Sequence, residues 1–274
     1  MAVVNTNVSA SIAQSALARN DRALGTAMEQ LSTGRKINSA ADNASGLAIT
    51  ARMTSQIKGL DTAIRNANDA ISMISTAEGA LDEISNMLQR MRELAVQAGT
   101  GTTDSADRTY MNTEFSALRS EIDRIADNTQ WNGRNILDGS AGASTGKSTV
   151  AFQVGSDYKQ TISTSFGNFN NTTGKLSGLA SKVISGTTIT SAINMASKSI
   201  VEIDVVIGDV SSQRATFGAV SNRLTHAIDN LTNVKTNAEA SRSRILDTDY
   251  AAATTEMARA QIIQQAGTAM LAQA

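Results

Sequence analysis

The 274-residue chain has no cysteine and no proline, a single histidine and few aromatic residues. Without cysteine, the chain cannot form disulfides, use a thiol in catalysis or bind zinc through cysteine. Proline breaks long helices and slows folding through cis/trans isomerisation, so its absence suits long helices and rapid folding. Aromatic residues make up 3% of the chain, and alanine supplies much of its 41% hydrophobic fraction. This composition favours a long, thin helical bundle over a thick globular core.

Strong charge and long apolar runs are also missing. The formal net charge is −1, and no basic stripe is present, so we expect no nucleic-acid partner. No apolar run reaches the roughly 18 residues that cross a bilayer, so we expect no membrane insertion. Residues 1–20 show no basic segment followed by an apolar one, so we expect no cleaved secretory signal.

Two segments near opposite ends of the chain place apolar residues at seven-residue spacing, with a second apolar position three or four residues later. The large side chains of this pattern are Ile74, Leu81, Ile84, Leu88, Met91, Phe217, Leu224, Leu231 and Ile245. Such spacing puts them on one face of a helix. A helix with one apolar face needs a partner in water. We therefore predict a mainly α fold, a long antiparallel coiled-coil bundle of the N- and C-terminal halves with these residues as its seam.

Outside this seam, the pattern predicts weaker helices at both ends. Their apolar positions are separated by Ala, Ser, Thr and Asn, and the larger ones are Leu17, Leu24, Leu31, Met257, Ile263 and Met270. Such faces are too small to hold a helix by themselves. We expect these terminal helices to be mobile in the monomer and to order against other copies of the chain.

The helix boundaries follow from turn-forming residues. We predict a helix that ends at Gly34, a polar turn over 38–46, and a long helix from 47 to about 98 that ends at the Gly99-Thr100-Gly101 sequence. A further helix is predicted from about 105 to 128, with Phe115, Leu118, Ile122 and Ile125 on one face.

The middle of the chain has a different pattern. Asn132-Gly133 is a turn signal, and residues 149–154 and 160–166 are rich in β-branched side chains on either side of Gly155-Ser156-Asp157. These two runs predict a β-hairpin. Their surroundings are rich in Gly, Ser, Thr and Asn.

We divide the chain into three parts. Residues 1–40 and 247–274 would form paired terminal helices, and residues 41–138 and 188–246 would form the helical bundle. Residues 139–187 would be the hairpin and a short, variable, solvent-facing insert, with no large outer domain.

No residue cluster indicates chemistry. His226 has no second histidine or cysteine with which to bind a metal, so we expect a surface or seam histidine. Asp247 and Asp249 lack the loop spacing of a calcium site, and helix capping is the better interpretation. We therefore predict no catalytic residue, no metal and no cofactor.

Several short strings resemble those of bacterial flagellins. They are STGRKIN at 32–38, ADNASGLAI at 41–49, LQRMRELAVQ at 88–97, FQVG at 152–155, SRSRILDTDYA at 241–251 and QQAG at 264–267. They occur in the same order as in the family, at both ends and in the middle of the chain. The resemblance is specific because the strings are independent of one another.

The resemblance implies a structural role. A flagellin is exported unfolded through the flagellar type III system and polymerises outside the cell into the helical filament used for swimming. The implied partners are other flagellin subunits, the flagellar cap, junction proteins and an export chaperone. Gln89, Arg90, Leu94 and Glu114 match family positions recognised by a Toll-like receptor. We expect them to form an exposed face of polar residues and leucine, which would also suit contact between subunits.

Two alternatives remain open from the sequence. The hook–filament junction protein belongs to the same export family and has similar ends. A coiled-coil signalling or receptor protein would need a membrane anchor or a catalytic module, and neither is apparent.

Overall fold

A computed structural model describes residues 7–142, 148–170, 174–186 and 188–273. The described part is mainly α-helical, as predicted. Its helices are α1 (Val8–Thr33), α2 (Ala40–Ala98), α3 (Ser105–Asn128), α4 (Ile189–Leu246) and α5 (Tyr250–Gln273). None of the described helices combines the length and the hydropathy of a membrane-spanning segment.

The chain divides into two compact units. The terminal unit contains Met1–Lys58 and Asn233–Ala274, and the central unit contains Gly59–Thr232. The boundaries differ from those expected, because residues 41–58 and 233–246 group with the terminal helices and not with the bundle. The helical pattern runs through both boundaries without a break, so it could not locate them.

The helix ends in the terminal unit follow capping chemistry. Gly34 ends α1 with a φ of 70°, and its N–H donates to the carbonyl oxygen of Gln30 at 2.9 Å. The expected turn over 38–46 is partly wrong, because α2 already begins at Ala40. Asn43, however, is non-helical at φ −164°, and its Oδ1 accepts the N–H of Gly46 at 2.8 Å. A single helical turn therefore precedes a kink, and Asn43 caps the long remainder of α2.

The core of the central unit contains most of the predicted seam. Ile74, Leu81, Ile84, Leu88, Met91, Phe217 and Leu224 are at most 1% exposed. Phe115 and Ile122 of α3 are buried in the same cluster. Burying each such side chain stabilises the fold by roughly 1.5 to 3 kcal/mol.

The seam does not extend as far as predicted. Leu231 and Ile245 are half-buried, and Val234 between them is 39% exposed. The heptad spacing continues through this part of α4, but large side chains become rare there. The burial of large α4 side chains in the core therefore ends near Leu224.

The predicted turn at Asn132-Gly133 and the predicted hairpin are both present. β1 (Gln130–Trp131) pairs with β2 (Arg134–Asn135) through Asn132 and Gly133, whose φ angles are 49° and 75°. β3 (Thr149–Gln153) pairs antiparallel with β4 (Thr161–Ser165), with Phe152 opposite Ile162. Ile162 and Thr164 point inward, so the hairpin covers the core with alternate residues.

The insert is not solvent-facing throughout, which corrects the prediction for 139–187. Within it Phe166, Phe169, Leu176, Leu179 and Ile184 are fully buried in the central core. The Phe166 ring lies 5.2 Å from that of Phe217 in α4. Phe169 and Leu176 stand singly among polar residues, so no periodicity marked them. The expected loop residues 143–147, 171–173 and 187 lie outside the described part.

Candidate assembly surface

Helices α1 and α5 pack against each other in the antiparallel sense within the terminal unit. The Asn20 side chain donates to the carbonyl oxygen of Ala260 at 2.7 Å, and Gln264 Nε2 donates to Asp21 Oδ1 at 2.8 Å. The buried residues of both helices are small, namely Ala27, Ala253 and Ala260. A Cβ on Gly267 would lie 3.2 Å from Leu17 Cδ1. Small residues let the helices approach closely, but they bury little apolar area.

The six residues predicted for contacts between subunits fall into two groups. Leu17, Leu24, Leu31 and Met257 are half-buried in the single chain. Ile263 and Met270 are 49% and 68% exposed. Part of the predicted contact surface is therefore already covered without a second copy.

Large apolar side chains are also exposed elsewhere on these two helices. We define the outer terminal face as Val8, Ile12, Met28, Ile262, Ile263 and Met270, all at least 49% exposed. Scattered apolar residues are normal on a protein surface. Met28 lies about 160° around α1 from Ile12, so the six side chains lie on more than one side of the helix pair and do not form a single patch. Such an arrangement suits contact with several neighbours. The sequence pattern indicated only the last two.

The linkers on either side of the terminal helices bind each other. The Lys36 N–H donates to the carbonyl oxygen of Leu246 at 2.7 Å, and the Thr248 N–H donates to that of Gly34 at 3.1 Å. Sequence reasoning missed this bridge, since local patterns do not show which loops meet. The predicted cap after it is present, because Asp249 Oδ1 accepts the N–H groups of Ala251 and Ala252 at 2.9 and 3.2 Å.

The four residues matched to receptor recognition lie in the central unit. Arg90 Nε donates to Glu114 Oε1 at 2.8 Å, and Arg90 Nη1 donates to Glu93 Oε2 at 3.0 Å. These hydrogen bonds raise the pKa of Arg90, and the one with Glu114 has the largest effect. Gln89 is exposed, but Leu94 is only 2% exposed. The expectation that Leu94 belongs to an exposed face is therefore wrong, because it packs into the core.

An open groove of about 490 Å³ adjoins this cluster, lined by Gln89, Arg92, Glu93, Val96 and Gln97. Arg92 Nε donates to Asp204 Oδ1 of α4 at 2.7 Å. The surface combines charged pairs with one exposed valine. It can form polar contacts with another protein.

A buried arginine that the sequence did not indicate closes the end of α2. Arg108 of α3 is 1% exposed, and it donates from Nε to the carbonyl oxygen of Ala98 at 3.0 Å and from Nη2 to that of Thr100 at 2.7 Å. The last carbonyls of a helix have no partner within it. The Gly99-Thr100-Gly101 ending could have signalled that some donor must meet them.

The remaining candidates from the sequence are the single histidine and the metal-ligating residue types. His226 is exposed. Among the described residues, no three His, Cys, Asp or Glu side chains gather in a way that could hold a metal ion.

Comparison with known proteins gives matches at both ends of the chain. The bacterial flagellin N-terminal helical region matches residues 4–142, and the C-terminal helical region matches residues 200–274. Flagellin A of Vibrio anguillarum is 37% identical over 363 aligned positions, which cover 99% of this chain and 96% of that protein. Polar flagellin C of Vibrio parahaemolyticus is 37% identical with the same coverage. These alignments are longer than the chain, so the relatives contain residues that it lacks.

Solved structures show the same fold. The crystal structure of Bacillus cereus flagellin is 32% identical and covers 65% of this chain and 94% of its own, with a TM-score of 0.50. A putative flagellar hook-associated protein from Vibrio parahaemolyticus has a TM-score of 0.61 over 75% of this chain, but at 16% identity it is similar in fold alone. The two terminal matches and the identity over nearly the whole chain show that this protein belongs to the bacterial flagellins, the structural subunits of the flagellar filament.

Proposed function

We propose that the chain polymerises through its terminal unit into an extracellular flagellar filament used for swimming. The observation that carries this proposal is the outer terminal face. Complete burial of its six side chains would contribute about 5 to 10 kcal/mol per subunit, allowing for the part already covered. Association costs several kcal/mol in lost freedom, so the face favours many weak, repeated contacts over one tight pair.

The predicted mobility of the terminal helices fits the same function. Of the described residues, only small ones are fully buried between α1 and α5, and the larger Leu17, Leu24, Leu31 and Met257 are half-buried, so the two helices hold each other weakly. Neighbouring subunits would supply the missing apolar contacts. Amide exchange tests this step: α1 and α5 should exchange quickly in a dilute monomer and slowly in the filament. Equal protection in both states would contradict it.

Seeded polymerisation tests the filament itself. Purified protein with short filament seeds should give long, uniform filaments in negative-stain microscopy. The double change Ile262→Ser and Ile263→Ser should raise the concentration needed for growth by tenfold or more, because it removes two apolar contacts. Tyr158→Ser is a matched control, since Tyr158 is 89% exposed and lies in the central unit. Failure of the wild-type protein to grow would overturn the proposal.

The route to the filament follows the family. The chain would leave the cell unfolded through the flagellar type III channel, bound beforehand by an export chaperone, and would add beneath the flagellar cap beyond the junction proteins. The lack of proline and cysteine supports this route, since neither slow isomerisation nor misplaced disulfides would delay refolding outside. A hook–filament junction role is the weaker candidate, because the hook-associated neighbour is similar in fold alone.

A second role, as a ligand of innate flagellin receptors, is supported by the exposed cluster of Gln89, Arg90 and Glu114. Arg90→Ala should reduce signalling in a receptor reporter assay, because it removes the group that orders Glu114. Arg124→Ala is the matched control, since Arg124 also forms an exposed pair, with Glu121. Unchanged signalling by the Arg90 variant would remove this role and leave the filament proposal intact. We propose no catalytic function.

A further inference from the structure

A polar groove of about 490 Å³ lies within the terminal unit. The linker after α1, the beginning of α2 and the end of α4 form its walls. Its polar lining consists of Arg35, Asn38, Thr50, Thr54, Arg242 and Asp247. Thr50 is buried, and its hydroxyl donates to the carbonyl oxygen of Gly46 at 3.0 Å, so it is satisfied within its own helix.

Both arginines of this groove lack an acidic partner. Within the described ranges, neither Arg35 nor Arg242 has a carboxylate oxygen within 4.0 Å. Arg242 is half-buried, and among the described residues its guanidinium donates one hydrogen bond, from Nη1 to Thr54 Oγ1 at 3.5 Å. Asp247 also lines the groove, and its Oδ2 accepts the hydroxyl of Ser243 at 2.5 Å, so the groove carries two positive charges and one negative charge. The groove thus holds two guanidinium groups that can still bind an anion.

The distribution of charge indicates where such an anion comes from. The terminal unit has ten Lys and Arg residues against seven Asp and Glu, whereas the central unit has fourteen against eighteen. The two units therefore carry net charges of +3 and −4. Exposed carboxylates without an ion pair among the described residues include Asp69, Glu83 and Asp229 of the central unit. A second copy thus offers the complementary charge.

We propose that the groove binds a carboxylate from the central unit of a second copy of this chain. The proposal rests on the filament function, and it adds a directional contact to the apolar one. Apolar faces can slide past each other, but an arginine–carboxylate pair has fixed geometry. Binding in the groove would therefore set how far one subunit is displaced along its neighbour.

Charge reversal tests the contact. In seeded growth at low salt, the double change Arg35→Glu and Arg242→Glu should raise the critical concentration by at least tenfold. Arg52→Glu is the matched control, since Arg52 is an exposed arginine of α2 outside the groove. Circular dichroism and melting temperature of the monomers verify that all variants fold. Equal critical concentrations for the groove and control variants would overturn the proposal.

Cross-linking locates the region that binds in the groove. Because the chain has no cysteine, a single introduced cysteine can be labelled selectively. An Arg35→Cys variant labelled with a photoreactive maleimide and polymerised with wild-type protein should link to a peptide from residues 59–232. Links confined to residues 1–58 and 233–274 would overturn this proposal but leave the filament function unaffected. Absence of wild-type filaments, by contrast, would count against the filament function itself.

Discussion

Arg108 offers a sharp test of how the end of α2 is held. Changing it to alanine leaves the buried carbonyl of Ala98 without a donor, at a cost of about 1 to 3 kcal/mol. The aliphatic part of a fully buried arginine is also lost, which costs about 1 to 2 kcal/mol more. Removing the arginine also removes the cost of burying its charge away from water, which offsets part of this loss. We therefore expect Arg108→Ala to lower the free energy of unfolding by about 2 to 4 kcal/mol.

Urea denaturation followed by circular dichroism measures this loss. The control is Arg124→Ala, since Arg124 lies on the same helix in an exposed pair with Glu121. Exposed pairs contribute about 0 to 1 kcal/mol. Arg108→Lys should be intermediate, since an ammonium keeps the charge but cannot span both carbonyls. If Arg108→Ala costs no more than the control, the capping argument is refuted.

The remaining predictions concern the core, a cap and a charge. Leu88→Ala should destabilise the monomer by about 2 to 5 kcal/mol, whereas Leu231→Ala should cost about 1 kcal/mol. Equal losses in urea denaturation would contradict our conclusion that the buried seam ends near Leu224. Gly34→Ala should cost about 1 kcal/mol in the same assay, because alanine resists a φ of 70°, and an unchanged midpoint would argue against the cap. Backbone hydrogen bonds from Ser39 and Asn38 lower the pKa of Asp42 from 3.8. The carboxylate therefore stabilises the fold above pH 3.8, and this effect is lost as the pH falls through the lowered pKa. The melting temperatures of Asp42→Asn and wild type should therefore converge in acid. A difference that stays constant with pH would contradict this.

Periodicity predicted the parts of the fold in which one face of a helix is buried. Ile74 to Met91 and Phe217 to Leu224 are buried because large residues recur there at the right spacing. The same spacing failed at Leu231 and Ile245, where it continues without enough large neighbours. Phe169 and Leu176 are buried although they belong to no periodic apolar pattern, because the chain folds back over the core there. Burial of that kind depends on tertiary contacts.

The candidate surfaces were predictable only where local sequence decides the structure. Asp249 is a cap, as its residue type and position indicated. Leu94 looked exposed beside charged neighbours, yet its helix phase turns it into the core. The bridge between Gly34 and Thr248 joins residues more than two hundred positions apart, and no local pattern connects them. The outer terminal face became visible once α1 and α5 were placed together.

The pairing of α1 with α5 makes the assembly surface depend on a complete chain. The hydrogen bonds that join these helices link residues 240 and 243 positions apart. Contacts so distant in sequence form late in folding, because a long loop must close first. The central unit has its own buried core within residues 59–232, so we expect it to fold without either terminal helix. A chain broken before Tyr250 would therefore fold its middle and still lack the paired helices, so damaged or unfinished subunits exclude themselves from the polymer.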